Sequence, residues 1–159
     1  MTYKEKLSKR IYATLTEKEK AIYNAKDMRE FILNFAKKSL GKDISKTENE
    51  LGCAEAVNYL VEQVCAEPIG GNTSTKWMYK ALTNNGKRFK KLIAPLPGDI
   101  IISPTGHSSL KKLVVKNGHV GIFGDDGKIW SNNSQTFKFD NHWLLSKWID
   151  YYKKQGGYP

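Results

Sequence analysis

The side chains able to do covalent chemistry are few in this chain. Cys53 and Cys65 are its only thiols, and His107, His119 and His142 its only imidazoles. A cysteine with a histidine beside it makes an activated nucleophile. Cys53 follows Gly52 and opens a segment, Ala54 to Cys65, that reads as a helix. A helix N-terminus presents free N–H groups and partial positive charge, and both stabilise a thiolate. The same groups, the backbone N–H of Cys53 first, suit the oxyanion of a tetrahedral intermediate. Gly52 permits a tight turn and lets another group approach the sulfur.

A bland role competes with this one. Val57, Leu60, Val61 and Val64 form an apolar stripe at helical spacing, and Cys53 falls on it. A cysteine there is readily a small buried hydrophobe, the stronger reading on this segment alone. Cys65 lies deeper in the helix, without the advantage of a helix end, and is read as structural. The two are twelve residues apart, which a continuous helix spreads over about 18 Å. A disulfide needs Cα atoms within about 7 Å, so none is expected between them.

A nucleophilic cysteine needs a base. His119 opens Gly118-His119-Val120-Gly121-Ile122-Phe123, an apolar, β-prone run. A strand positions a side chain more rigidly than a loop does, and the flanking glycines leave room around the imidazole. His107 lies in a polar loop, and His142 beside Trp143 at an expected helix start. Both are read as surface or packing residues. A third group should orient the imidazole and fix its tautomer. If Asp125-Asp126 makes a two-residue turn, His119 pairs across from Asn132. Asn132 is therefore the expected third residue, with Asn133 and Ser131 as alternatives, because a register change of one residue swaps the face.

The elements that must hold these residues follow from periodicity and punctuation. Residues 1–26 are charged and helix-prone, with a capping-box pattern at Thr16 and Glu19, and read as an appendage. The main domain is expected over residues 27–159. Met28, Phe31, Ile32 and Phe35 predict a helix from Asp27 to Leu40, ended by Gly41. Ser74 can cap a helix running to Leu82. Pro97-Gly98 signals a turn ahead of a strand over Ile100 to Ile102. Gly124-Asp125-Asp126-Gly127 is hairpin chemistry between two strands, His119 to Phe123 and Lys128 to Asn132. Thr136 to Phe139 reads as one more strand, and Asn141 can cap a last helix carrying Trp143, Leu144, Trp148, Ile149 and Tyr152. Helices first, strands together, then a helix is an α+β order.

Composition sets the frame. The 159 residues fit one domain with a real core and need no staples. No run of about 18 apolar residues exists to span a membrane. The first ten residues lack the apolar centre of a signal peptide, so synthesis in the cytoplasm is expected. Lys and Arg number 26 against 16 Asp and Glu, a net charge of +10 that favours polyanionic partners. No zinc-finger or RNA-recognition signature accompanies that charge, so no specific nucleic-acid partner is expected. Asp43, Glu48 and Glu50 are too irregularly spaced for a calcium loop. No metal or cofactor is expected, and the protein is read as a monomer.

Three segments together resemble a known family. They are Gly52-Cys53-Ala54-Glu55-Ala56-Val57, Pro97-Gly98-Asp99-Ile100-Ile101, and Gly118-His119-Val120-Gly121-Ile122-Phe123 with Gly127-Lys128-Ile129. In that order and spacing, over roughly residues 27 to 150, they resemble the papain-like peptidoglycan hydrolases of the NlpC and CHAP kinds, bacteriophage lysins included. The resemblance implies a papain-like fold, helices packed on a small antiparallel sheet, with Cys53 and His119 facing each other. It implies hydrolysis of an amide bond in bacterial peptidoglycan, hence action at the cell wall. Two departures stand out. The Asp-Cys-Ser start of many NlpC members is Gly-Cys-Ala here, and the Glu-x-Asn run of many CHAP members is replaced by Ser131-Asn132-Asn133-Ser134. Trp77, Trp130 and the loop from Pro104 to Lys116 are the expected lining of a substrate cleft.

Overall fold

The structure, a computed structural model, describes residues 1–17, 19–20, 27–45, 52–105 and 118–154. His107, Glu48, Glu50 and most of the expected cleft loop lie outside these residues.

Helix α1 (Tyr3–Ala13) is capped by Thr2, whose hydroxyl accepts from Glu5 N at 3.2 Å while Glu5 answers to Thr2 N at 2.7 Å. Its one buried side chain, Leu7, belongs to the face it turns toward the third helix, and Lys4 pairs with Glu67 just beyond that helix. The capping box read at Thr16 is present: Glu19 N donates to Thr16 Oγ1 at 3.3 Å and Thr16 N to Glu19 Oε2 at 2.8 Å. Helix α2 (Arg29–Ser39) is followed by Gly41, whose φ of +78° is the left-handed turn expected of a terminating glycine. Helix α3 (Gly52–Cys65) and helix α4 (Thr75–Asn84) follow, the latter capped by Ser74.

Strands β1 (Ile100–Ser103), β2 (His119–Phe123), β3 (Lys128–Asn132) and β4 (Phe139–Leu144) form one antiparallel sheet in sequence order, and helix α5 (Leu145–Lys154) closes the described chain. The fold is therefore α+β. Strand alternation sends two sets of side chains to two layers. Val120, Ile122, Trp130 and Phe139 join Val57, Leu60 and Val61 in the larger core under α2 and α3. Ile129, with Ile101, Phe123 and Trp143, packs on Trp148 and Tyr152 of α5. Burying such a side chain fully contributes about 1.5–3 kcal/mol, so the stripe on α3 holds the helix to the sheet. No helix among the described residues is long and apolar enough to cross a membrane.

The Pro97-Gly98 turn is as read. Asp99 N donates to Leu96 O at 2.9 Å, with Gly98 at φ +93°. That is a type II turn, and only glycine is at ease in its third position. A Cβ there would also stand 2.2 Å from Arg29 O, so the turn seats on the head of α2.

Two expectations are corrected. The β2–β3 hairpin is not closed by a two-residue turn. Gly124 N donates to Lys128 O at 2.8 Å, Gly127 takes φ +73°, and the ladder pairs Ile122 with Trp130 and Phe123 with Ile129. The loop thus holds three residues, the last of them a left-handed glycine, and the register moves by one. The second correction concerns the chain end. Residues 139–144 are strand, paired from Asn132↔Phe139 to Lys128↔Leu144, so Asn141 caps no helix and His142 and Trp143 belong to β4. The buried Phe139 and the ladder to β3 outweigh the helical spacing read there.

Candidate active site

Cys53 is the second residue of α3 and only 4% exposed. Its thiol meets the backbone N–H groups of Val120, Ala54 and Cys53, which pull its pKa down, but burial is the larger effect and pushes the thiol above its ordinary value. Ala54 and Cys53 supply the free N–H groups of a helix start, as the sequence suggested. Val120 supplies one from β2. The sulfur therefore rests against the peptide that joins His119 to Val120. Tyr152 of α5 lies near enough to feel the charge of Cys53, and burial chiefly raises its phenol.

Gly52 is where another group does approach. A Cβ at this position would stand 2.5 Å from Asn132 Nδ2 and 3.0 Å from Ser45 Oγ. Asn132 is buried, and its Oδ1 finds no hydrogen-bond partner among the described residues. It stands on the same sheet face as Val120, Ile122 and Trp130, at the head of α3.

His119 points to the other face, so the side chains of Cys53 and His119 are not brought to face each other as the resemblance implies. Its Nε2 lies 2.9 Å from Ser131 Oγ, and Ser131 is fully buried. Trp148 covers the ring, 5.3 Å between centroids. Desolvation in this packing, with the charge of His142 second, lowers the imidazole pKa to about 3. The one-residue register correction is the reason Ser131, not Asn132, meets the ring: alternation puts Ser131 and His119 on one face and Asn132 on the opposite one. Asn133 donates instead to Asp140 Oδ2 at 3.1 Å.

The flanking glycines have a different use from the one read. A Cβ on Gly118 would fall 2.3 Å from Thr105 N and 2.4 Å from Thr75 Oγ1. On Gly121 it would fall 2.6 Å from Ile129 Cγ2 and 2.7 Å from Trp130 O. They admit neighbouring backbone to β2 rather than making room for the imidazole.

The two tryptophans part company. Trp130 is 2% exposed, its Nε1 donating to Asp126 Oδ1 at 2.9 Å, so it is core and lines no cleft. Trp77 is 55% exposed on α4, with Lys80 Nζ 4.4 Å from its ring centre. Cys65 is a free thiol beside Arg88, with its pKa raised by burial.

One group was missed. His142 Nδ1 pairs with Asp140 Oδ1, and the His142 ring stands edge-on to His119 at 6.5 Å. Both lie on β4 at an irregularity where the pairing slips between Ile129 and Ser131, a bulge of the kind that re-aims side chains. Asp-x-His on a strand was the available signal; placing His142 in a helix concealed it. Among the described residues no group of three or more His, Cys, Asp or Glu side chains is set to hold a metal ion.

Comparison with protein-family models, with curated proteins and with solved structures finds no match for this chain. The site must be read from its own geometry. A buried thiol lies at a helix head with amides around it, and a hydrogen-bonded imidazole is carried by the residue next to one of those amides.

Proposed function

We propose that the protein is a papain-like cysteine peptidase or amidase that hydrolyses an amide bond of bacterial peptidoglycan. The observation that carries this reading is the seat of Cys53: the first turn of α3, with the N–H groups of Cys53, Ala54 and Val120 at its sulfur. His119 is the base. Ser131 takes the place of the third residue, holding Nε2; the ring stands on the opposite sheet face from the core around Cys53, so the proton transfer requires the two to approach. Burial favours the uncharged forms of both thiol and imidazole, so the resting pair is neutral. The proton then moves from Cys53 to His119 as the sulfur attacks the amide carbonyl. The oxyanion is received by amides at the head of α3, and His119 protonates the leaving amine to give a thioester. Water, activated by the same imidazole, releases the acid and restores the thiol.

The substrate class comes from the resemblance of the three segments, and the net charge of +10 suits an anionic wall. The test is clearing of purified peptidoglycan by the wild type and by Cys53→Ala, with products read by mass spectrometry. Clearing by the wild type alone is expected. A folded wild type that clears none of several wall chemistries overturns the proposal and leaves a non-catalytic wall-binding module as the alternative.

A further inference from the structure

The strap between α4 and β1 combines basic charge with exposed aliphatic side chains. From Pro68 to Gly98 the sequence holds six Lys or Arg residues and no Asp or Glu. The strap is tied down at both ends. Arg88 donates to the carbonyls of Pro68, at 2.6 Å, and Glu67, and Phe89 packs on the core. At the far end Leu96 N donates to Asp99 Oδ2 at 2.7 Å as the turn into β1 begins. Between these anchors Lys90, Lys91, Leu92, Ile93 and Ala94 are all exposed. Ile93 reaches 108% exposure, Leu92 43% and Leu96 50%.

Large aliphatic side chains are seldom presented in this way by a fixed segment without a partner. Here they form the tip, and Lys87, Lys90 and Lys91 flank it. A soluble polyanion would engage the lysines and leave the isoleucine and leucines in water. An anionic bilayer surface engages both, phosphates taking the ammonium groups and the acyl boundary taking the apolar tip. We propose that the strap, residues 87–96, is a docking surface for an anionic lipid membrane. The protein adsorbs through it at headgroup depth, without spanning. This proposal is independent of the reaction assigned to Cys53.

The experiment is co-sedimentation with vesicles of equimolar phosphatidylglycerol and phosphatidylcholine, against pure phosphatidylcholine. The proteins are the wild type, Ile93→Ser, and Lys90→Glu with Lys91→Glu. All three changes are at exposed positions, and circular dichroism checks that each variant is folded. Binding to the anionic vesicles only is expected, weakening steeply toward about 0.5 M salt. The partition coefficient should fall about tenfold in Ile93→Ser and about fivefold for each lysine charge removed. Equal binding to neutral and anionic vesicles, or none to either, overturns the proposal. So does an Ile93→Ser variant that binds like the wild type. If Ile93→Ser matches the wild type on the anionic vesicles while the lysine variant fails both there and on soluble polyglycerol phosphate, the surface belongs to a polyanion and the lipid assignment falls.

Discussion

His119 Nε2 lies 2.9 Å from Ser131 Oγ, across the hairpin and on one face of the sheet. This bond fixes the ring and decides which imidazole nitrogen is left for chemistry. Ser131→Ala removes it and leaves a buried ring nitrogen unpaired. Turnover of peptidoglycan should drop about tenfold to a hundredfold, since base catalysis of this kind contributes about 10²–10⁴. Ser131→Thr keeps the hydroxyl and should recover most of the loss. Ser131→Ala at the wild-type rate, or Ser131→Thr no better than it, would remove Ser131 from the site.

The resting state of the thiol is a second measurable point. Burial holds Cys53 above its ordinary pKa and takes His119 down to about 3. The thiolate fraction therefore grows with pH throughout the neutral and mildly alkaline range. Alkylation of Cys53 by iodoacetamide, followed by intact mass in a Cys65→Ser background, should accelerate about tenfold per pH unit between about pH 6 and 8.5. A preformed thiolate–imidazolium pair would instead give a flat profile, and that result would sink the neutral resting pair.

Gly52 couples the nucleophile's helix to β3. In Gly52→Ala the new Cβ meets Asn132 Nδ2 at 2.5 Å, and Asn132 is buried with little space to retreat. Crowding of this kind costs about 1–3 kcal/mol, more than alanine gains over glycine in a helix. Urea unfolding should show Gly52→Ala destabilised, with Asn132→Ala in the same chain restoring part of the loss. Additive effects of the two changes would mean that the contact is not limiting.

Much of this arrangement could be read from the chain, for local reasons. Helix heads at Gly52 and Ser74 and the turn at Pro97-Gly98 are written in residues that act within four positions of themselves. The site failed to be legible where one residue of register mattered. Gly127 in a left-handed conformation lengthens the hairpin by one and exchanges Asn132 for Ser131 at the imidazole. Trp143, Leu144 and Trp148 have a spacing that suits a helix, yet the ladder to β3 claims the first two, and with them His142. Such outcomes depend on pairing between distant segments, which local periodicity does not carry.

The buried imidazole also sets how stability answers to pH. Folded His119 resists protonation until about pH 3, whereas in the unfolded chain it titrates near the usual histidine value of about 6.5. Between these values the unfolded state binds more protons, so stability falls as pH falls through the window and levels off below it. His119→Gln keeps a polar partner for Ser131 and has no proton to gain. Relative to this variant, the wild type should lose about 5 °C or more in Tm between pH 7 and pH 4. His142, paired with Asp140, stands beside His119, so His142→Gln is scanned in parallel. If the acid sensitivity disappears in His142→Gln and persists in His119→Gln, the burden lies on the β4 pair. Parallel Tm curves for wild type and His119→Gln would show that folding leaves the ring's proton affinity unchanged, and the depressed, buried base would have to be abandoned.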